Sequence, residues 1–463
     1  MSCVIASPAS GNGKTLLSIL LSSWARKKGY SIQTFKVGPD YLDPQQLKQI
    51  SQKPCRNLDK ILCGSNWVRD SFHFFGGSAD LALVEGVMGL FDGIGSSSEG
   101  STADIAQELN LPIVLIVNAN GQAASIAALI NGFKNHTPKI NLAGVVLNQI
   151  NSKRHKELLS EVALSNQIRV LGYIFKNEKL TLSKSDLGLS PAHEIINLDR
   201  RIDEWAEIAA KSLDIDYFLS IMKSPKPSEN PIKKLINNNF LNNQKLSRPI
   251  AIAKDEAFHF IYEETNDLLK ELQIPILEWK IMEDEPLPKG AKGIIIPGGF
   301  PETHAEQLSK SKRSLNALKS NFNKIPIYAE CGGMLLLGQS IKDKKGVTYP
   351  MTEILPFKAS NGSLNVGYRD IRAIKNSLIM ESEERIKGHE FHRWKLSYKE
   401  SFIFNQNKFK TRGISAPWEA EGWLIKRTKE GWSNELFHAS WIHLHWASNP
   451  KIATRISKKM RNT

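Results

Sequence analysis

The first half of the chain alternates short apolar runs with stretches of helical spacing. Six runs read as strands: Ser2–Ser7, Ser31–Val37, Leu81–Glu85, Ile113–Asn118, Ala143–Asn148 and Val170–Ile174. Helical stretches such as Leu16–Lys28 and Ala123–Phe133 lie between some of them. Strand–helix alternation of this kind predicts an α/β fold with a doubly wound, mostly parallel sheet. Residues 223–248 change character. Pro225, Pro227 and Pro231 are followed by Asn237, Asn238, Asn239, Asn242 and Asn243, which reads as a linker with one short helix. The alternation restarts at Pro249–Ala253, Ile274–Trp279, Gly293–Ile296 and Ile325–Ala329. Two α/β domains are therefore expected, over residues 1–222 and 249–463. No internal repeat is apparent.

Length agrees, since 463 residues are too many for one ordinary domain. Apolar residues make up 41% and charged residues 23%, enough for packed cores. The longest apolar runs, such as Leu111–Val117, are far too short to span a membrane. Met1-Ser2-Cys3-Val4-Ile5 runs straight into a strand with no basic stretch ahead, so no secretory leader is expected. Cys3, Cys55, Cys63 and Cys331 form neither a disulfide framework nor a CxxC pair, which points to a reducing cytoplasm. The net charge of +14 admits nucleic acid or an acidic small molecule as partner. No nucleic-acid module is visible, and the basic end (Lys451, Arg455, Lys458, Lys459, Arg461) reads as a solvated tail.

Three segments of the first half carry candidate chemistry. Ala6-Ser7-Pro8-Ala9-Ser10-Gly11-Asn12-Gly13-Lys14-Thr15 follows the first strand and opens a helix. Gly11 and Gly13 let the backbone curl around a phosphate, Lys14 would reach the terminal phosphates, and Thr15 would hold Mg²⁺. Pro8 stands where the strict phosphate-loop pattern has its first glycine. Asp40 and Asp43 follow the second strand; Glu85 and Asp92 follow the third. Ligands of open parallel sheets sit beyond the carboxyl ends of strands, so these carboxylates are expected near Lys14. Glu85 is the candidate Mg²⁺ ligand beside Thr15, with turn capping as the alternative for Asp40 and Asp43.

The second half offers a thiol. In Ile325-Pro326-Ile327-Tyr328-Ala329-Glu330-Cys331-Gly332-Gly333-Met334, a strand ends at a cysteine and two glycines permit a sharp turn into a helix. This is the logic of a nucleophile elbow, with a helix N-terminus favouring the thiolate. Phe437–Trp446 reads as one strand, placing His443 and His445 on one side, so either is a candidate base. Gly298 and Gly299 follow a strand and suit an oxyanion hole. Gly388-His389-Glu390-Phe391-His392 raises a rival zinc site, although its histidines are three apart rather than the four of zincins.

Taken in order, Ser10–Thr15, Lys36–Tyr41, Val84–Gly93, Ser101–Ala103, Pro297–Glu302, Ala329–Gly333, Gly388–His392 and His443–His445 resemble the cobyrinic acid a,c-diamide synthases, glutamine-hydrolysing enzymes of cobalamin biosynthesis. The resemblance implies a P-loop, dethiobiotin synthetase-like ATP domain over 1–222 and a class I glutamine amidotransferase-like α/β domain over 249–463. It assigns Cys331 as nucleophile and His443 as base. The usual third member, a glutamate two residues after the histidine, is replaced by His445, which fits a Cys–His pair. Ser7-Pro8 and Leu16 also depart from the usual loop, which has Gly-Thr and a second threonine there.

The implied reaction uses ATP, Mg²⁺, L-glutamine and cobyrinic acid, with no nucleic-acid or membrane partner and a homodimer as the assembly considered. Ammonia released at the thiol site would displace phosphate from an acyl phosphate made at the ATP site, which calls for closely packed domains. Nickel-sirohydrochlorin a,c-diamide synthases and cobyric acid synthases are the neighbouring resemblances. A partitioning-type ATPase would leave Cys331 idle, and a stand-alone cysteine hydrolase would leave Lys14 idle.

Overall fold

The computed structural model describes residues 2–177, 180, 184–185, 188–189, 198–238, 248–398 and 413–461. The chain forms two compact units, Met1–Pro231 and Ile232–Thr463. The division falls inside the stretch read as a linker. Residues 239–247 of that stretch, with Asn239, Asn242 and Asn243, lie outside the described residues. Its start is not free: Ser224 donates to the Ala79 carbonyl at 2.6 Å, and Lys223 bridges to Leu81. Pro231–Asn238 is a helix.

The first unit is built on seven strands: β1 (Cys3–Ala6), β2 (Ile32–Val37), β3 (Arg56–Leu58), β4 (Leu81–Glu85), β5 (Ile113–Asn118), β6 (Leu142–Ile150) and β7 (Val170–Phe175). They lie in the order β3-β2-β4-β1-β5-β6-β7, and every pairing is parallel. Strands covered on both faces read as continuous apolar runs, and every residue of β1 and β2 is buried. Alternate residues serve opposite layers. Cys3 and Ile5 pack with the helix α1 (Lys14–Lys27) and Trp205 on one face; Val4 and Ala6 pack with Phe72, Ala103 and Ile126 on the other. From β1 the chain turns toward β2 on one side and β5 lies on the other, which opens a crevice at the carboxyl ends there. β3 was not anticipated, because three residues leave no periodicity.

The second unit has a parallel sheet ordered Ile276–Trp279, Ile250–Ala253, Ile294–Ile296, Ile327–Glu330, Phe437–Ser440, with Trp432–Ser433 added antiparallel. A second sheet was not anticipated. Its body is a long antiparallel ribbon, Phe357–Ala373 against Arg385–Tyr398, to which Ile442–His443 pairs. The segment read as one strand, Phe437–Trp446, is therefore two short strands in different sheets, followed by a 3-10 turn at Trp446–Ser448. The basic end is also not a solvated tail. Lys451–Arg461 is an amphipathic helix that buries Ile452, Ile456 and Met460, while Arg455 pairs with Glu384 at 2.7 Å. Among the described residues no helix is long and apolar enough to cross a membrane.

Candidate active site

The phosphate loop occupies the turn from β1 into α1. Gly13 has φ 109°, and a Cβ there would lie 2.4 Å from Asn148 Nδ2, so position 13 needs glycine for both conformation and space. Asn148 Nδ2 donates to the Asn12 carbonyl at 3.0 Å, and Asn12 Oδ1 accepts from the Asn118 amide at 3.2 Å. These asparagines, at the ends of β5 and β6, brace the loop. Gly13 brings no side-chain cap, so the first amides of α1 stay available for an anion. Gly11, with φ 80°, lies on the open side of the loop.

Lys14 Nζ donates to Ser7 Oγ at 2.9 Å and to the Met88 carbonyl at 2.5 Å. Burial, followed by the nearby Lys36 charge, pulls its pKa down to about 8. Thr15 Oγ1 donates to Glu85 Oε1 at 2.7 Å. Lys36, buried in β2, gathers the carboxylates: Glu85 Oε1 at 2.8 Å, Asp40 Oδ2 at 3.6 Å and a short contact with Asp43. Burial opposes its charge, but the three carboxylates overcome that and hold its pKa well above the ordinary lysine value. Burial and the adjacent Asp43 raise Asp40 to about 7. Asp40 Oδ1 also accepts from the amides of Leu42 and Asp43 at 2.9 and 3.2 Å, so it caps the helix that starts at Leu42 as well as facing Lys36. Asp92 Oδ2 closes a turn on the Gly89 amide at 2.8 Å and contributes charge near Lys14.

Thr15, Asp40, Asp43 and Glu85 thus converge, whereas Asp92 sits one turn aside. Lys36 was missed by sequence reasoning, although its place two residues before Gly38 in the Lys36–Tyr41 motif was a signal. Among the described residues no group of three or more His, Cys, Asp or Glu side chains is disposed to hold a metal unaided. The oxygen donors do suit a hard cation shared with phosphates: Glu85 is fully buried, and its Oε2 has no hydrogen-bond partner.

The thiol site lies at the end of the strand Ile327–Glu330. Cys331 has φ 45° and ψ −109°, the strained geometry of an elbow. A Cβ on Gly333 would lie 2.2 Å from the Ile296 carbonyl, so the turn presses flat against the loop holding Gly298 and Gly299. The helix that follows, Gly332–Leu336, has only five residues, so its dipole contributes less than expected. Cys331 Sγ lies 3.6 Å from the Phe391 carbonyl. Buried His443 is its hydrogen-bond neighbour. Burial alone would lower the His443 pKa; Cys331 and Glu330 overcome this and raise it to about 10. Burial pushes the Cys3 and Cys55 thiols up, and neither has such a partner. Gly298 faces the His443 ring, and Gly299 has φ 152°.

His445 is not an alternative base at this thiol. Its Nε2 lies 3.5 Å from Glu264 Oε2, and its ring packs on Tyr262 at 4.4 Å. The break in the strand at Trp441 explains why two histidines two residues apart serve different partners. The Gly388–His392 motif supports the thiol pocket and holds no metal cluster. His389 pairs in register with His443, and burial together with the His443 charge lowers it to about 3. His392 stacks on Trp441 at 3.7 Å and bonds Glu390 Oε1 at 2.8 Å, while Arg369 holds Glu390 Oε2 at 2.7 Å.

Residues 3–188 match the CobQ/CobB/MinD/ParA nucleotide binding domain family, and residues 249–451 match the CobB/CobQ-like glutamine amidotransferase domain family. A cobyrinate a,c-diamide synthase of Synechocystis sp. is 36% identical over 97% of this chain and 91% of its own. One of Synechococcus sp. is 36% identical over 97% and 96%, and one of Caldanaerobacter subterraneus is 34% identical over 96% and 94%. The chain belongs to the cobyrinate a,c-diamide synthase family. It is an ATP-using, glutamine-hydrolysing ligase of the amide-forming class. This membership removes the partitioning ATPase and stand-alone hydrolase readings, each of which left one of the two sites without a task.

Proposed function

We propose that this protein converts the a and c acetate carboxylates of cobyrinic acid into amides, with ammonia from glutamine and activation by ATP. Near-full-length similarity to cobyrinate a,c-diamide synthases carries this reading. Both sites described above support it, because each supplies half of the reaction.

At the thiol site, His443 holds the proton of Cys331, and the thiolate attacks the glutamine amide. Amides of the Gly298–Gly299 loop are placed to stabilise the oxyanion. The imidazolium returns its proton to the departing nitrogen, so ammonia leaves as the thioester forms, and water then hydrolyses the thioester to glutamate and frees the thiol. At the phosphate loop, Lys14 and the first amides of α1 bind the terminal phosphates. The substrate carboxylate takes the γ-phosphoryl group, and ammonia displaces phosphate from the acyl phosphate. Thr15 and Glu85 would hold Mg²⁺, which when bound offsets charge on the transferring group. Lys36 favours the ionised forms of Asp43 and Glu85, in the latter against the burial that raises its pKa, and holds both in place for that role. Residues 1–222 and 249–463 are assigned as the amidoligase and glutaminase domains, joined by 223–248. A reducing cytoplasm suits a working thiol.

The test is incubation of the purified protein with cobyrinic acid, ATP, Mg²⁺ and glutamine, followed by mass spectrometry. Two successive acid-to-amide conversions and no third are expected. Inactivity on every corrin, with turnover of a sirohydrochlorin, would overturn the assignment of substrate while leaving the chemistry.

A further inference from the structure

The class's usual orienting carboxylate is absent from its expected position, because His445 occupies it and turns toward Glu264. A carboxylate nevertheless stands at His443, supplied from another place in the chain. The strand Ile327–Glu330 runs parallel to Phe437–Ser440, with Glu330 opposite Ser440. Beyond Ser440 the chain crosses into the second sheet, where His443 pairs with His389. This crossover carries His443 back over the end of the Glu330 strand. Glu330 Oε2 lies 3.4 Å from His443 Nδ1. Glu330 Oε1 accepts from the Leu444 amide at 3.0 Å and makes a short bond with the Tyr328 hydroxyl. Trp446 Nε1 in turn donates to that hydroxyl at 3.4 Å. The carboxylate is nearly sealed from solvent, at 8% side-chain exposure, and is held from several directions.

We infer that Glu330, the residue immediately before the nucleophile, is the positioning residue for His443 and completes a Glu–His–Cys relay. The inference rests on the glutaminase reading of Cys331. Its carboxylate keeps the proton on Nδ1, leaving Nε2 to exchange a proton with the thiol, and it steadies the imidazolium that forms. Its bond to the Leu444 amide fixes the main chain beside the same histidine. The order in sequence differs from the usual relay, but the geometric role is the same. A purely structural Glu330 would hold Tyr328 and Leu444 and leave the titration of His443 alone. The titratable groups facing His443 are Glu330, Cys331 and His389, with Arg369 behind His389. Of these only Glu330 and Cys331 favour its charged form, so loss of the Glu330 charge makes the imidazolium easier to deprotonate.

The test uses the full chain with Glu330→Gln, and measures glutaminase kcat and KM, the pH profile, and amidation supported by ammonium salt. Glutaminase kcat should fall about 10²-fold with KM little changed. The alkaline limb of the profile should move to lower pH, and ammonium-supported amidation should stay near the parent. Parental kcat with an unmoved alkaline limb overturns the role of Glu330. If this variant also loses ammonium-supported amidation, it has misfolded and Tyr328→Phe decides. That variant keeps the carboxylate but removes one support; a several-fold lower glutaminase kcat supports the role, and an undiminished rate overturns it. Cys331→Ala measured alongside separates the two levels. Glutaminase surviving in Cys331→Ala overturns the thiol reading itself, whereas its loss there beside a parental Glu330→Gln overturns only the positioning role.

Discussion

The phosphate loop and the thiol elbow prepare for chemistry in opposite ways. At the loop, charges are held ready and the ligand is expected to rearrange them. Lys14 is tied to Ser7 and to a carbonyl, and Lys36 collects three carboxylates whose mutual repulsion its charge offsets. At the elbow, shape is fixed first. Cys331 sits at φ 45°, the following glycines lie flat against the 297–301 loop, and Glu330 is held by several groups. A site that binds a polyanion must exchange partners, so charges that a ligand can regroup serve it. A site that runs proton transfer between two side chains gains from rigid placement.

The largest break in this comparison comes from removing each site's central group. Cys331→Ala should lower glutamine-supported amidation by at least ~10³-fold and leave the ammonium-supported reaction intact. Lys14→Ala should lower amidation from either nitrogen source by about 10²-fold or more, while basal glutaminase survives in part. Parallel assays of glutamate and amide formation read both. A Cys331→Ala protein equally inactive with ammonium salt, yet folded, would show that the two halves do not divide the labour this way.

Gly333→Ala probes rigidity rather than chemistry. Its Cβ would meet the Ile296 carbonyl at 2.2 Å and the Pro297 carbonyl at 2.7 Å, both backbone atoms that cannot step aside cheaply. A loss of about 2 kcal/mol in the stability of the second unit is expected, with a glutaminase defect larger than the defect in ATP binding. Gly11→Ala is the matched control at the loop. Nothing lies within 4 Å of its Cβ, so only the cost of φ 80° applies, about 1 kcal/mol. Urea unfolding of both variants compares them, and equal losses would remove the contrast between a shaped site and a charged one.

Much of this was legible in the sequence, for physical reasons that differ by region. The strands of the first sheet are covered on both faces, so β1 and β5 appear as nearly unbroken apolar runs, whereas β2 stays buried while carrying Gln33, Thr34 and Lys36. The thiol was legible because Gly332 and Gly333 have no other reason to follow a strand so closely. The ribbon Phe357–Ala373 with Arg385–Tyr398 was not legible. Much of it faces water, and residues such as Lys358, Asn361, Asp370 and Arg372 break up any apolar signature. Glu330 was invisible for a different reason. A glutamate at a strand end reads as solvated, and only the register with Phe437–Ser440 and the crossover at Trp441 bring His443 to it.

The smallest expected effect concerns protons at the loop. In the free protein, burial and Lys36 lower Lys14 to about 8. A bound phosphate restores the charged form, so its pKa rises on binding. Below about pH 8, Lys14 is already charged and binding takes up no proton there. Above it, binding must recharge Lys14, so affinity for ATP should fall as pH rises, by at most about ten-fold per pH unit. Asp40, raised to about 7, titrates just below this range. Asp40→Asn should therefore remove any step near neutrality and leave the step above pH 8. Lys14→Arg, charged throughout, should bind with a flatter profile. Calorimetric titration with ATP in buffers of different ionisation enthalpy reads affinity and proton uptake together. A parent profile that stays flat from about pH 7.5 to 9.5 would mean that Lys14 is already fully charged in the free loop, and the two sites would then differ less in their preparation than their geometry implies.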